Sequence, residues 1–207
     1  MRAREQLIGA AILMAATYYG VLQIAEAKGD AAVGSRALSL DDKHPEDLAA
    51  FRRLQAQLAT LGQGALAERL EQLRRKGDLW VAPGMGPERW AAYVDSLGLV
   101  RRIYVRRVAL LNPLTHLYPH GAEDVPARYQ LAFAWLSLGG AMRHELAHYE
   151  GATAEADAYR EERAWYEQVG KSEFFAGLTG EERAVWLWGL ESAISGEEEA
   201  AQKAGAA

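Results

Sequence analysis

Apolar side chains through the middle of the chain recur every three or four positions, the spacing that lines one face of a helix. Leu48, Phe51, Leu54, Leu58 and Leu61 form the first such stripe. His44-Pro45-Glu46-Asp47 opens it with proline and acids where a helix start favours them, and Gly62-Gln63-Gly64 ends it. A second amphipathic helix is predicted from Ala65 to Lys76, closed by Gly77. Leu79-Trp80-Val81 reads as extended before the turn Pro83-Gly84-Met85-Gly86, and Pro87 then opens a helix to about Ser96. Leu99–Leu111 (LVRRIYVRRVALL) is rich in β-branched residues and reads as a strand stopped by Asn112-Pro113. Residues 114–125 hold His116, Pro119, His120 and Gly121 and read as loop. Pro126 starts the longest predicted helix, to about Glu150, with Gly151 as its cap. Thr153 caps the next, to Val169, with Gly170 beyond it. Thr179-Gly180-Glu181-Glu182 has the form of a capping box for a last helix through about Ile194. The tail 196–207, GEEEAAQKAGAA, offers little to bury and is expected to be disordered. The predicted body, 41–195, is mainly α, an α+β domain with a small sheet, and has no internal repeat.

The amino terminus breaks this pattern. Arg2 and Arg4 precede an apolar run from Leu7 to Leu22, and Ala25-Glu26-Ala27 follows as a small-x-small triplet. That is the layout of a secretory signal peptide. Extended to Ala25, the run also approaches the roughly 20 residues that a membrane-spanning helix needs. Residues 1–27 therefore read as a cleaved signal peptide or a retained membrane anchor, with membrane association through residues 7–25. Both place the body in the cell envelope, either periplasmic or secreted after cleavage at Ala27, or anchored in the inner membrane. Residues 28–40 are small and polar and read as a linker.

Composition removes several function classes. The 207 residues are 50% hydrophobic and 25% charged, with a formal net charge of −5. No nucleic-acid partner is expected, because a generally basic surface is missing. The chain has no cysteine, which excludes a disulfide scaffold, a cysteine nucleophile and cysteine-ligated metal or iron–sulfur sites. It has five histidines, and four of them, His116, His120, His144 and His148, lie close together in sequence.

The long predicted helix ends in His144-Glu145-Leu146-Ala147-His148. Histidines at i and i+4 project from one helix face and can converge on a single Zn²⁺. Glu145 is rotated by about 100° from His144, beside a metal rather than on it, where it can take a proton from water. The same face continues upstream through Ser137, Gly140 and Ala141, small enough for another segment to pass close by. The motif is short, and two histidines near a helix end can also be plain surface or capping residues.

In these residues the chain resembles the zincin metallopeptidases, whose signature is HExxH. Gly151 extends the match to HExxHxxG, as in metzincins, but that pattern needs His or Asp at the position held by Ala154. One residue later, Glu155 opens Glu155–Tyr159 (EADAY), which is similar to the E-x-x-A segment of gluzincins. The resemblance spans residues 144–169. It implies a zincin-like fold, Zn²⁺ held by His144, His148 and Glu155, Ala158 at the contact between the two helices, and Glu145 as general base. Glu162, His116 and His120 stay open as alternative third ligands, and Glu155 alone is also what a helix first turn favours. A His₂Glu set also suits Co²⁺, Mn²⁺ or Fe²⁺.

Hydrolysis needs a donor to the developing oxyanion, for which Tyr159, His116, Tyr118 and His120 are candidates, though Tyr159 also suits a core. Asp157 is a candidate acceptor behind a ligand histidine. Glu161 and Glu167 read as a solvated face pairing with Arg160 and Arg163, and the six tryptophans read as core. The segment 99–111 is a candidate edge strand for an extended peptide, its four arginines (Arg101, Arg102, Arg106, Arg107) either attracting acidic sequences or blocking edge pairing. The expected function is zinc-dependent hydrolysis of a peptide or protein substrate in the envelope. Its rival is a non-catalytic metal-binding or helical interaction protein, which would need the histidines but not the acid between them. The oligomeric state is not legible in this sequence.

Overall fold

A computed structural model describes residues 18, 21–34, 36–86, 89–116 and 127–206 of the chain. The proposed signal or anchor up to residue 17, the Pro87 helix start, Tyr118 and His120 lie outside the described residues, as does the His116 side chain. The described part of helix α1 covers residues 21–32. It is followed by β1 (Leu38–Ser39), α2 (Pro45–Thr60), α3 (Gly64–Lys76), β2 (Leu79–Ala82), β3 (Ala91–Ser96), β4 (Val100–Arg106), α4 (Arg107–Leu111), a 3₁₀ turn (Pro113–His116), α5 (Ala127–Glu150), α6 (Glu155–Gly170), α7 (Glu173–Gly177) and α8 (Gly180–Ala206). The protein is mostly helical, with one mixed sheet of four strands ordered β1-β2-β4-β3. Among the described residues no helix is long and apolar enough to cross a membrane.

The helical stripes fold as their spacing dictates. Phe51, Leu54 and Leu58 of α2 are fully buried with Leu70 and Leu73 of α3, against Leu136 and Leu138 of α5. Gly77 ends α3 in the left-handed region, φ 82°, where glycine carries no Cβ penalty. Beyond the sheet lies a smaller cluster in which Val33 and Ala37 meet Ala82, Met85, Ala92 and Tyr104. The segment 28–40 is therefore no loose linker: it ends α1, buries Val33 and Ala37, and pairs Leu38 with Val81.

Three segments differ from expectation. The predicted helix to Ser96 is strand β3, which pairs antiparallel with β4 through Tyr93↔Ile103. The hairpin is made by Leu97 and Gly98, both at positive φ (59° and 68°), with the Leu99 N–H on Ser96 O at 3.1 Å. Such mirror-type turns match strand twist, but leucine is a rare occupant, so the signal is faint in sequence. The predicted strand 99–111 is extended only to Arg106 and then becomes α4. Arg107 leaves the ladder to bind the fully buried Asp47 carboxylate of α2 at 2.8 Å, and Ala109 and Leu110 are fully buried beyond it. β4 lies between β2 and β3, so the sheet edges are β1 and β3 and not 99–111.

The third difference lies at the carboxyl end. Helix α8 has 27 residues against 24 for α5, so it and not α5 is the longer, and it continues through the 196–206 stretch expected to be disordered. Trp186 and Leu190 are buried, Ile194 and Glu197 half-buried and Ala201 buried, a stripe at helical spacing that covers α6. Small residues make this stripe inconspicuous in composition. Helix α6 itself is capped by the Ala154 backbone, which accepts the Asp157 and Ala158 N–H groups, rather than by Thr153, and Gly170 lies within it.

Candidate metal centre

Helix α5 ends where glycine predicts. Gly151 takes φ 125°, and the Ala152 N–H returns to Ala147 O at 2.9 Å. The chain reverses over three more residues and starts α6 at Glu155, with Glu155 and Asp157 in its first turn. This corner brings a carboxylate from the second helix over the histidine face of the first. His144 Nε2 lies 3.2 Å from Glu155 Oε2, and His148 Nε2 lies 3.4 Å from the same oxygen. The two rings are 5.0 Å apart, centroid to centroid. One ligand atom from each of His144, His148 and Glu155 falls within 4.8 Å of the others. The three residues form a group able to hold a metal ion.

The spacing is compatible with a metal ion. Two atoms bound to one Zn²⁺ at about 2.0–2.1 Å and tetrahedral angle are roughly 3.3–3.4 Å apart. The His148–Glu155 distance falls at that spacing and the His144–Glu155 distance just below it. His148 Nε2 is buried and without a hydrogen-bond partner, the state of a ring nitrogen waiting for a ligand. Its Nδ1 faces the Ala152 carbonyl at 2.9 Å, which selects the tautomer that leaves Nε2 unprotonated. The histidines are largely covered, while the Glu155 side chain is 62% exposed, so the centre is open on one side.

Glu162, an open alternative as third ligand, faces the other side of His144. Its Oε2 lies 3.2 Å from His144 Nδ1, an ion-pair distance, while its Oε1 accepts the Tyr166 hydroxyl at 3.3 Å. Burial works to lower the His144 pKa, but the Glu162 contact and the charges of Glu145, Glu162 and Glu155 outweigh it and leave the pKa raised. Asp157, the acid assigned to this supporting role from sequence, points to solvent and pairs with Arg160 at 2.5 Å. Burial and the nearby Glu162 charge raise the Glu197 carboxyl, on the final stretch of α8. Glu197 is not conspicuous in sequence because the tail around it carries no large apolar residue.

The small residues upstream of HELAH do admit a close neighbour. A Cβ at Gly140 would overlap the Tyr166 hydroxyl and come within 2.7 Å of Glu162 Oε1. A Cβ at Gly139 would meet Trp165 at 2.8 Å and Leu58 at 2.9 Å. The passing segment is α6 itself. Ala158, expected at the helix contact, is fully buried.

Glu145 stands beside the group. Its Oε2 accepts the Tyr93 backbone N–H of edge strand β3 at 2.6 Å. Removal from water raises its pKa, an effect that His144, the Tyr93 N–H and His148 oppose. The Tyr159 ring packs against His144 at 4.6 Å between centroids, and burial raises the phenol pKa. The four arginines of 99–111 are engaged within the chain: Arg101 with the Tyr149 carbonyl, Arg102 with Glu26 and the Trp80 face, Arg106 with Met85 O, and Arg107 with Asp47. Trp135, Trp165 and Trp186 are core, whereas Trp188 is exposed.

Comparison with protein-family profiles, with curated proteins and with solved structures finds no match to this chain.

Proposed function

We propose that the protein is a zinc-dependent metallopeptidase of the cell envelope, with His144, His148 and Glu155 as the metal ligands. The observation that carries this reading is the convergence of both Nε2 atoms on Glu155 Oε2, at 3.2 and 3.4 Å, with Glu145 next to them. When bound, zinc supplies Lewis acidity, making water easier to deprotonate near neutral pH and polarising a peptide carbonyl. Glu145 accepts the proton of the attacking water and returns it to the leaving amine. Its Oε2 is fixed by the Tyr93 N–H, which leaves Oε1 to carry that proton. The Tyr159 hydroxyl is the donor to the developing oxyanion. The edge of β3 borders this space, and an extended peptide chain is the substrate class that such an edge accepts. Envelope placement rests on the basic, apolar and small-residue layout of residues 1–27.

A second reading is a metal-binding module without turnover. It is favoured by one contact: the Tyr93 N–H gives Glu145 a structural task that needs no chemistry.

The test starts with zinc per chain in protein purified without added metal. Wild type is expected to hold one equivalent, and His144→Ala, His148→Ala and Glu155→Ala to lose it. Full zinc affinity in Glu155→Ala would reject the ligand set. Hydrolysis of a quenched fluorescent peptide library then separates the two readings, since a metal-loaded protein with no cleavage leaves only the binding module.

A further inference from the structure

Helix α1 crosses the sheet in a fixed direction. Glu26 pairs with Arg102 at 2.8 Å, a Cβ at Gly29 would meet the Tyr104 hydroxyl at 2.8 Å, and one at Gly34 would meet Gly84 O at 3.0 Å. Later helix residues thus meet later strand residues, and α1 starts at the end of the sheet where the β3–β4 turn lies. Leu99 precedes Arg102 by about 10 Å of strand, which corresponds to roughly seven helical residues before Glu26. That count sets the turn level with Tyr18 and Val21. Four large apolar side chains are exposed at this end: Tyr18 60%, Val21 38%, Leu97 54% and Leu99 42%. We propose that this end is a bilayer-docking face, with the Leu97–Leu99 turn entering the lipid surface beside α1. The inference deepens the envelope reading and is independent of the metal centre.

Leu97 is the residue that folding alone does not explain. It stands at φ 59°, where a side chain with a Cβ is disfavoured and asparagine or glycine is the usual occupant, and it is exposed as well. Backbone and hydration both count against leucine here. A bilayer would supply the burial that the fold leaves unmade. Tyr18 tells the same story on α1. It extends the stripe of Leu22, Ala25, Gly29 and Val33, whose later members are buried against the sheet, but at Tyr18 the helix has passed the end of the sheet and the stripe is bare.

The sequence that enters this end indicates what covers it. From Leu7 to Leu22 it is apolar, behind Arg2 and Arg4, the composition of a segment that partitions into lipid. Basic side chains flank the tip. Arg101 is on β4, and Arg75 and Lys76 end α3 at the same end, because β2 runs parallel to β4. Such a fringe suits anionic headgroups. Each of the three is also paired with an acid of the chain (Asp95, Glu71 and Asp78), so the apolar contacts carry the docking. Two contacts with the bilayer, α1 and the turn, would hold the body in one orientation, which a single segment would not.

The chain has no cysteine, so one introduced thiol reports one position. The full chain with Leu99→Cys is labelled with a polarity-sensitive nitrobenzoxadiazole dye. It is mixed with vesicles of phosphatidylethanolamine and phosphatidylglycerol, with and without brominated acyl chains. Val108→Cys, on an exposed residue beyond the other end of β4, is the control. The dye at 99 is expected to shift to the blue, brighten and be quenched by brominated lipid, while the dye at 108 stays unchanged. Leu97→Asn combined with Leu99→Ser removes both apolar tips and gives the turn a residue that its backbone favours, so the variant is expected to fold. Its vesicle affinity, read by co-sedimentation, is expected to fall about tenfold. An unchanged affinity overturns the proposal. So does a full chain that sediments with vesicles while its dye at 99 stays in water, which leaves residues 7–25 as the anchor without the turn. A dye that shifts without lipid as protein concentration rises makes a second copy of the chain the occupant and also overturns it. A chain that does not sediment with vesicles sinks the membrane association of residues 7–25, and this inference with it, but leaves the metal centre untouched.

Discussion

His144 stands between two glutamates of the same helix, with Nε2 3.2 Å from Glu155 Oε2 and Nδ1 3.2 Å from Glu162 Oε2. Residues 155 and 162 are two helical turns apart, so one face of α6 offers an exposed carboxylate to the Nε2 side of the ring and a buried one to the Nδ1 side. His148 is served differently, by the Ala152 carbonyl in the connecting corner. The buried carboxylate, at ion-pair distance from Nδ1, raises the basicity of the His144 ring. Glu162→Gln is expected to lower zinc affinity about 10-fold or more, read by chelator competition. Glu161→Gln, on the exposed neighbour that pairs with Arg143, is expected to leave it unchanged. Equal affinity in all three proteins would remove Glu162 from the centre.

Two glycines test the packing behind this arrangement in opposite directions. Gly140 faces α6 so closely that a methyl group would overlap the Tyr166 hydroxyl. Gly140→Ala is expected to cost about 1–3 kcal/mol by overpacking and to reduce zinc affinity together with stability. Gly196 sits in the interior of α8, and a methyl group there would have no neighbour within 4 Å. Gly196→Ala is expected to stabilise the protein by about 0.5–1 kcal/mol through the lost backbone freedom of glycine. Urea denaturation of the two variants beside wild type measures both effects. Overpacking at Gly140 is refuted if its alanine variant is as stable as wild type.

The grouping of His144, His148 and Glu155 was legible because it is local. HELAH, a glycine stop and Glu155 span 12 positions on one helix hairpin, so helical periodicity alone brings the side chains together. What lay beyond it depended on long-range pairing. The β3 segment carries Tyr93 and Val94, residues that suit a strand, but Pro87 mimics a helix start and the Leu97-Gly98 turn lacks the usual asparagine or aspartate. Arg107, where β4 gives way to α4, pairs with Asp47, buried 60 positions earlier. Glu197 belongs to a tail whose alanines and glutamates signal disorder in isolation, yet alanine is what allows two helices to approach closely. The mostly helical body with a small sheet could be read from sequence, whereas the edge strand and the support behind His144 could not.

Acid should loosen the α2–α3 side of the protein first. Glu71 accepts from Arg74 at 2.8 and 2.9 Å, from Arg75 at 2.8 Å and from Arg52 of α2 at 3.1 Å. The Arg74 hydrogen bonds, against the opposing effect of burial and with help from Arg75, hold the Glu71 pKa at about 2, below its ordinary 4.5. A carboxyl group with a depressed folded pKa stabilises the fold fully above its unfolded pKa and loses that contribution as pH falls through the folded one. The window is therefore pH 4.5 down to about 2. Glu71→Gln is expected to cost about 1–2 kcal/mol at neutral pH, after allowance for screening near the surface, and nothing near pH 2. Denaturant titrations of both proteins at pH 7, 4.5 and 2.5 decide it, since a pH-independent difference would mean that packing, not charge, makes the contribution.

Glu145 separates chemistry from architecture. Its Oε2 holds the Tyr93 N–H at 2.6 Å, a bond that a glutamine carbonyl can keep. Its ordinary pKa is raised by removal from water, so the ionised form is the one that the metal-free fold disfavours. For an acid with a raised folded pKa, stability is lost as pH climbs from the unfolded value through the folded one. Metal-free Glu145→Gln is therefore expected to be at least as stable as wild type at neutral pH, with the gap closing in acid. A bound divalent cation would favour the ionised carboxylate and shrink that gap. Peptide hydrolysis should behave oppositely, falling about 10²- to 10⁴-fold in Glu145→Gln while zinc per chain stays unchanged, because the glutamine cannot accept the proton of water. Thermal melts with and without zinc, run beside the peptide assay, read both consequences in the same protein. Undiminished cleavage in Glu145→Gln would remove Glu145 as base, and a loss of zinc would make it a structural member of the centre instead.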